Sequence, residues 1–162
     1  MKNILTLVLF LFLLTSCNNI DLVLNDMNQT SFLKNKTALE LSGVIKDGSS
    51  QEFYSFFGNP KNIDYILSAN LSEDKKNRLV KKNQVAEKID YEITIVYDLY
   101  YKTKNCRVIS KNIVTKFSFV PKSFGYNFGT DRSFEKLYTN SIKKNIYSFL
   151  QFFSQSNKTS CN

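Results

Sequence analysis

The run Tyr91-Glu-Ile-Thr-Ile-Val-Tyr-Asp-Leu-Tyr-Tyr101 places Tyr91, Ile93, Ile95, Tyr97, Leu99 and Tyr101 at every second position, with Glu92, Thr94, Val96, Asp98 and Tyr100 between them. Side chains of a strand alternate between its faces. A period of two, rich in β-branched and aromatic residues, therefore predicts a half-buried strand. Lys102–Asn105 reads as a hairpin loop and Cys106–Phe119 as the antiparallel return. The doublets Val108-Ile109 and Ile113-Val114 break its alternation, which a bulge or burial on both faces explains. Upstream, Ala38–Ile45 reads as a first strand. Lys46–Ser50 is turn chemistry in which Ser49 or Ser50 caps a short helix over 51–57. Phe53, Phe56 and Phe57 recur there at helical spacing and read as core before they read as a ligand site; Gly58-Asn59-Pro60 stops the helix. Ile63–Leu71 alternates as a second strand. The charged stretch 73–82 after it is either a loop or the outward continuation of a hairpin. Beyond Pro121 an aromatic loop, 123–129, leads to a helix capped by Thr130 or Asp131. In that helix Phe134, Leu137, Tyr138, Ile142, Ile146, Phe149, Leu150 and Phe153 repeat at three and four. Each helix stripe needs an apolar face to cover it. The order β-α-β-β-β-α thus predicts an α+β two-layer sandwich, an approximately four-stranded, mostly antiparallel sheet with two helices on one face.

A second strong pattern has no period. Lys2 is followed by the uncharged apolar run Ile4–Leu14 and then by Thr15-Ser16-Cys17. A helix over that run spans about 16 Å, too short for a ~30 Å hydrocarbon core. Charged start, apolar middle and small residues before a cut are the layout of a secretory signal. A core helix or strand is the alternative, but one lacking any polar face. The expected organisation is a signal peptide over 1–16 and a polar tether over 17–37 with one apolar patch, Ile20–Leu24. A domain over 38–153 and a polar tail over 154–162 complete it.

Composition narrows the chemistry. Removing 1–16 from 162 residues leaves 146, one domain's worth. The net charge of +8 becomes 21 − 14 = +7 once Lys2 is lost. Nucleic acid is not the partner expected of an exported chain; the anions of an envelope are acidic phospholipid and lipopolysaccharide. The chain has no histidine, which excludes Ser-His and Cys-His nucleophile pairs and His-ligated metals. It has no Cys-x-x-Cys spacing and no glycine-rich phosphate loop either, so no catalytic residue, metal site or cofactor is read from it. Besides Cys17 there are two cysteines, Cys106 and Cys161, an even pair for which a disulfide and two free thiols are both open.

Leu14-Thr15-Ser16-Cys17 resembles the bacterial lipobox. The resemblance implies that Cys17 becomes the first residue of the mature chain, carrying a diacylglycerol and an amide-linked fatty acid. Several acyl chains together make a stable anchor. Asn18 stands where Asp is associated with inner-membrane retention, which implies sorting to the outer membrane. Beyond the anchor, the chain resembles the LPS-assembly lipoprotein LptE family in its alphaproteobacterial form. Tyr65–Ser72 is similar to that family's second strand, Tyr91–Tyr101 to its central strand and Val108–Phe117 to the strand after the turn. Gly125-Tyr126-Asn127 is similar to the element before the last helix. It departs at Asn18-Asn19-Ile20, where the family has a glycine-phenylalanine run, and in a last helix that carries Lys and Asn where Ala and Glu are common. The resemblance implies a non-enzymatic lipoprotein on the periplasmic side of the outer membrane. It would plug an LptD-type β-barrel and bind lipopolysaccharide. The charge distribution bears on this: residues 75–122 hold twelve Lys/Arg and four acids, net +8. Lys81, Lys82, Arg107, Lys111 and Lys116 are the candidates for lipid A phosphate contacts, against the plain alternative of a solvated charged face. Two other readings stay open: a different outer-membrane lipoprotein (a barrel-assembly subunit or lipoprotein carrier), and a basic periplasmic binding module.

Overall fold

The computed structural model describes residues 33–46, 48–80, 86–121 and 128–156. The signal peptide, Cys17, the tether up to residue 32, Lys81, Lys82, residues 123–127 of the aromatic loop and Cys161 lie outside the described residues.

The elements follow in the expected order: β1 (Thr37–Gly43), α1 (Ser49–Phe57), β2 (Tyr65–Val80), β3 (Ala86–Tyr101), β4 (Cys106–Phe119) and α2 (Phe128–Gln155). They form one four-stranded sheet in the order β1-β2-β3-β4, with both helices on one face. β1 pairs parallel with β2. A parallel neighbour needs a crossover long enough to return the chain, and α1 supplies it. β2, β3 and β4 are antiparallel hairpins. The charged stretch after Leu71 is strand: β2 runs on to Val80, opposite Ala86. The broken alternation of β4 is a bulge. Leu99 faces Ile109 and Tyr100 faces Arg107, so Val108 is the extra residue.

The buried face is the odd-numbered one of β2 and β3, where Leu67, Ala69, Leu71, Ile93, Ile95, Tyr97 and Leu99 meet Phe53 and Phe57 of α1. From α2 come Tyr138, Ile142, Ile146, Phe149 and Phe153, the stripe read from the sequence. α2 descends β4 from one end to the other. Phe134 lies 5.3 Å from Phe119, the Ser141 carbonyl accepts from Thr115 Oγ1, and Lys111 sits over Phe152. Eight strand steps and eighteen helix steps both advance about 27 Å, so helix and strand keep pace. A polar bridge fixes their register. The Tyr97 hydroxyl donates to Asn145 Oδ1 at 2.9 Å, and Asn145 Nδ2 donates to the Ile113 carbonyl at 2.9 Å. Asn145 is fully buried, and its amide makes both bonds with no exposure to water.

Three boundaries differ from expectation. Leu33 is 1% exposed and Thr37, whose hydroxyl donates to the Leu33 carbonyl, is fully buried, so the domain takes in residues that their polar composition assigns to the tether. Ser49 and Ser50 do not cap α1. They lie inside it, and the cap is Gly48 in the left-handed region at φ 85° with no side-chain hydrogen bond, while Ser49 Oγ is buried without a partner among the described residues. Thr130 and Asp131 likewise fall within the first turn of α2, which starts at Phe128, and the helix continues to Gln155.

Candidate functional site

The two ends of the sheet are built differently. At one end all four strands finish in a single row, Thr37, Tyr65, Tyr101 and Cys106. Backbone bonds tie the connecting segments to it. The Asn35 N–H donates to the last carbonyl of α1, Phe57, and the Lys102 N–H donates to the Asp64 carbonyl. At the other end β1 stops at Gly43 opposite Leu71 while the β2–β3 hairpin and β4 run on. β2 as a whole spans about 50 Å, so more than half of it stands beyond β1 as an overhang.

On the helix-free face of the overhang, charged residues form a cross-strand ladder around a depression of about 350 Å³ lined by Asp74, Lys76, Arg78, Lys88, Asp90, Glu92 and Lys116. Directly opposed pairs include two of like sign, Arg78 with Lys88 and Asp74 with Glu92. Like charges face to face are unfavourable, and neighbouring opposite charges relieve them, one diagonally across the strands, one along β2 and one directly opposite on β4. Arg78 Nε reaches Asp90 at 2.5 Å, Lys76 reaches Asp74 at 3.4 Å and Lys116 reaches Glu92 at 2.8 Å. Asp90 also accepts from Ser118 Oγ at 2.7 Å. That hydroxyl, then Arg78 and Lys88, hold the Asp90 carboxyl below its usual range.

On the helix side of the overhang the ammonium of Lys46 sits in an aromatic box, 4.5 Å from the Tyr138 ring centre, 4.8 Å from Phe134 and 5.5 Å from Tyr91. Glu73 closes it, 2.7 Å from Lys46 Nζ. A cation over several ring faces with a carboxylate beside it is held by quadrupole and Coulomb attraction together. Burial, then the negative charge of Glu73 and a hydrogen bond to it, push the Tyr138 hydroxyl up to about 12. The sequence shows Lys46 only as part of a turn, and Glu73 only as the start of a charged run.

The described candidates for phosphate contact do not converge. Arg107 lies in the flush end row region, on the helix-free face, 3.6 Å from Asp98. Lys111 is on the helix face over Phe152, at 4.3 Å. Lys116 belongs to the overhang ladder. Nine strand steps, about 30 Å, separate Arg107 from Lys116. Topology instead gathers cations that the sequence scatters. The segments 33–37, 58–65, 101–107 and 153–156 build the flush end and contain Lys34, Lys36, Lys61, Lys102, Lys104 and Arg107 against one carboxylate, Asp64. All six cations are exposed. Asp64 pairs with Lys36 at 3.4 Å. Cys106, in the same row, is disulfide-bonded, and its partner lies outside the described residues.

Among the described residues no cluster of three His, Cys, Asp or Glu is placed to hold a metal, and no helix is long and apolar enough to cross a membrane.

This geometry has known counterparts. Rare lipoprotein B from Shewanella oneidensis superposes with a TM-score of 0.51 over 74% of this chain and 95% of its own, at 11% identity. A putative lipoprotein from Caulobacter crescentus gives 0.54 over 78% and 93%, at 11% identity. A minor lipoprotein from Acinetobacter baumannii gives 0.51 over 78% and 96%, at 13% identity. No family model matches the sequence, nor does any curated protein. The class is therefore defined by fold: this chain has the α+β fold of these bacterial lipoproteins.

Proposed function

We propose that the chain is an outer-membrane lipoprotein of the LptE type, anchored through Cys17, which works with an LptD-type β-barrel in lipopolysaccharide assembly and catalyses no reaction. The observation that carries this reading is the coincidence of two independent features. The lipobox-like Leu14–Cys17 precedes a domain whose fold is shared, over nearly the whole of their length, with solved lipoproteins including rare lipoprotein B. In this reading the domain plugs the barrel from the periplasmic side and presents cations to lipid A phosphates. Lys81 and Lys82, which stand between β2 and β3 in sequence, carry those contacts with Lys116; Arg107 lies about 30 Å from Lys116 along β4 and Lys111 is on the opposite face of the sheet. The disulfide partner of Cys106 is Cys161 in this proposal: α2 ends at Gln155 beside the flush row, and the remaining residues are enough to span back to Cys106.

Purification of the intact lipoprotein from envelopes tests the reading. It is expected to bring down a β-barrel of LptD type. Recovery with a barrel-assembly complex, or with no barrel, overturns it. Replacing Lys81 and Lys82 by glutamate is expected to weaken lipopolysaccharide binding; unchanged binding removes the assignment of the phosphate contacts.

A further inference from the structure

The flush end combines three features that no adjoining stretch of sequence shows together. It holds Lys34, Lys36, Lys61, Lys102, Lys104 and Arg107 with Asp64 as the carboxylate of its own segments, a balance of 6 − 1 = +5. Counting the two acids further in, Asp98, which meets Arg107 at 3.6 Å, and Glu40 at the same level of the sheet, leaves 6 − 3 = +3. It holds Leu33, the first described residue, sixteen positions after Cys17 in the sequence. It also carries the C-terminal end of α1, where the Phe57 carbonyl accepts from the Asn35 N–H, and the negative end of a helix favours cations near it. The lysines come from three separate connections, the residues before β1, the α1–β2 segment and the β3–β4 turn, joined by the bonds Tyr65 N–H to Lys36 carbonyl at 3.1 Å and Lys102 N–H to Asp64 carbonyl at 2.9 Å. Ile63, 38% exposed, lies among them.

We infer that this end is a docking surface for an anionic phospholipid bilayer, with Lys34, Lys36, Lys61, Lys102 and Lys104 set against the headgroups. Clustered lysines at an anionic surface multiply the affinity, by about fivefold each, within a Debye length of the bilayer. A basic patch next to an acyl anchor is the pairing that turns a tether into a fixed orientation. Here it would stand the sheet on end, with the flush row at the lipid and the far end of β2 about 50 Å away from it. The inference rests on lysine placement and needs neither a barrel nor lipopolysaccharide.

Among the described residues the core cluster runs from Leu33 to Phe153, so a chain of residues 18–162 keeps those core contacts without the lipid. Its binding to vesicles of phosphatidylcholine alone and of phosphatidylcholine with about a third phosphatidylglycerol tests the proposal by co-sedimentation. Expected is binding to the anionic vesicles only, lost at high salt, and weakened on the order of 100-fold by Lys34→Gln, Lys61→Gln and Lys102→Gln together, at about fivefold each. The overhang pair Lys76→Gln and Arg78→Gln serves as the control and leaves binding within a few-fold of the parent. Equal binding to both vesicles, an equal loss from the overhang variant, or binding to lipopolysaccharide micelles but not to phosphatidylglycerol each overturns the proposal. All five positions are exposed, and an unchanged melting curve for each variant shows that a loss is not unfolding.

Discussion

At the overhanging end Lys46, Lys76, Arg78, Lys88 and Lys116 each stand within 4.0 Å of a carboxylate. At the flush end six cations have Asp64 and, further in, Asp98 and Glu40. Both ends look basic when charges are counted along the chain, yet they offer different things to a ligand. An exposed ion pair contributes little to stability, but it lowers the local potential that an incoming anion meets. The dense charge of residues 73–92 is largely internal balance in a two-stranded ladder. The sparse lysines at 34, 36, 61, 102 and 104 are all exposed and outnumber the carboxylates of their own segments, where Asp64 meets Lys36 at 3.4 Å. Where positive charge is dense and where it is available are separate questions, and only the second depends on the fold.

The ends differ in packing as sharply as in charge. Phe57, 1% exposed, seats the end of α1 against the flush row, whereas Phe134 is half-buried among the rings of the overhang. Phe57→Ala is expected to cost about 3–5 kcal/mol, and Phe134→Ala about 1–3, because less of that ring leaves water on folding. Urea unfolding of the two variants compares them. Equal losses would mean that the overhang is as tightly built as the row beneath it.

The next largest effect also belongs to the flush end. A disulfide stabilises mainly by restricting the unfolded chain, and the proposed Cys106–Cys161 loop spans much of the domain. Cys161→Ser is therefore expected to remove about 2–4 kcal/mol. Cys106→Ser should match it. If Cys106→Ser destabilises and Cys161→Ser does not, another cysteine is the partner. Thermal melts with and without reductant add the same comparison on the parent chain.

How much of this was visible in the sequence follows from which forces act locally. The eleven-residue alternation at Tyr91–Tyr101 and the α2 stripe survive intact, because a period of two or of three and four is set by the geometry of one element. The β2 extension stayed open because Glu73 and Lys75 occupy positions of the helix-facing side, and a carboxylate there breaks the expected pattern. It is tolerated since Lys46, from a turn far back in the chain, closes on it. Parallel pairing of β1, the Tyr97–Asn145 bridge and the gathering of lysines at the flush row all depend on contacts between distant segments. The helix caps failed for a different reason. Ser49 had the right chemistry, but Gly48 in a left-handed conformation already makes the entry to α1.

Lys46 gives the overhang a test of its own. Lys46→Met keeps most of the stem's apolar contact with Tyr138 and Phe134 and removes the charge, leaving Glu73 facing the rings without its partner. A loss of about 1–3 kcal/mol is expected, since the remaining carboxylate is mostly shielded from water. Adding Glu73→Gln should recover part of it, which a double-mutant cycle measures. A cycle that shows no coupling would reduce the box to a surface contact and bring the overhang closer in character to an ordinary exposed hairpin.

The smallest effect lies in the exposed ladder, at Asp90. The Ser118 hydroxyl and then Arg78 and Lys88 favour its ionised form in the folded protein, so the folded value lies below the ordinary 3.8. A carboxylate with a depressed folded value contributes stability that is present above its unfolded value and is lost as pH falls through the folded one. The difference in melting temperature between the parent and Asp90→Asn should therefore be constant from pH 5 to pH 7, shrink below about pH 4 and vanish once both states are protonated. It should also diminish with added salt at neutral pH, because these partners are solvent-exposed. A difference that stays flat to pH 2 would show that Asp90 acts through shape and hydrogen bonding alone. The ladder would then be balanced at Arg78 and Lys88 by something other than this carboxylate.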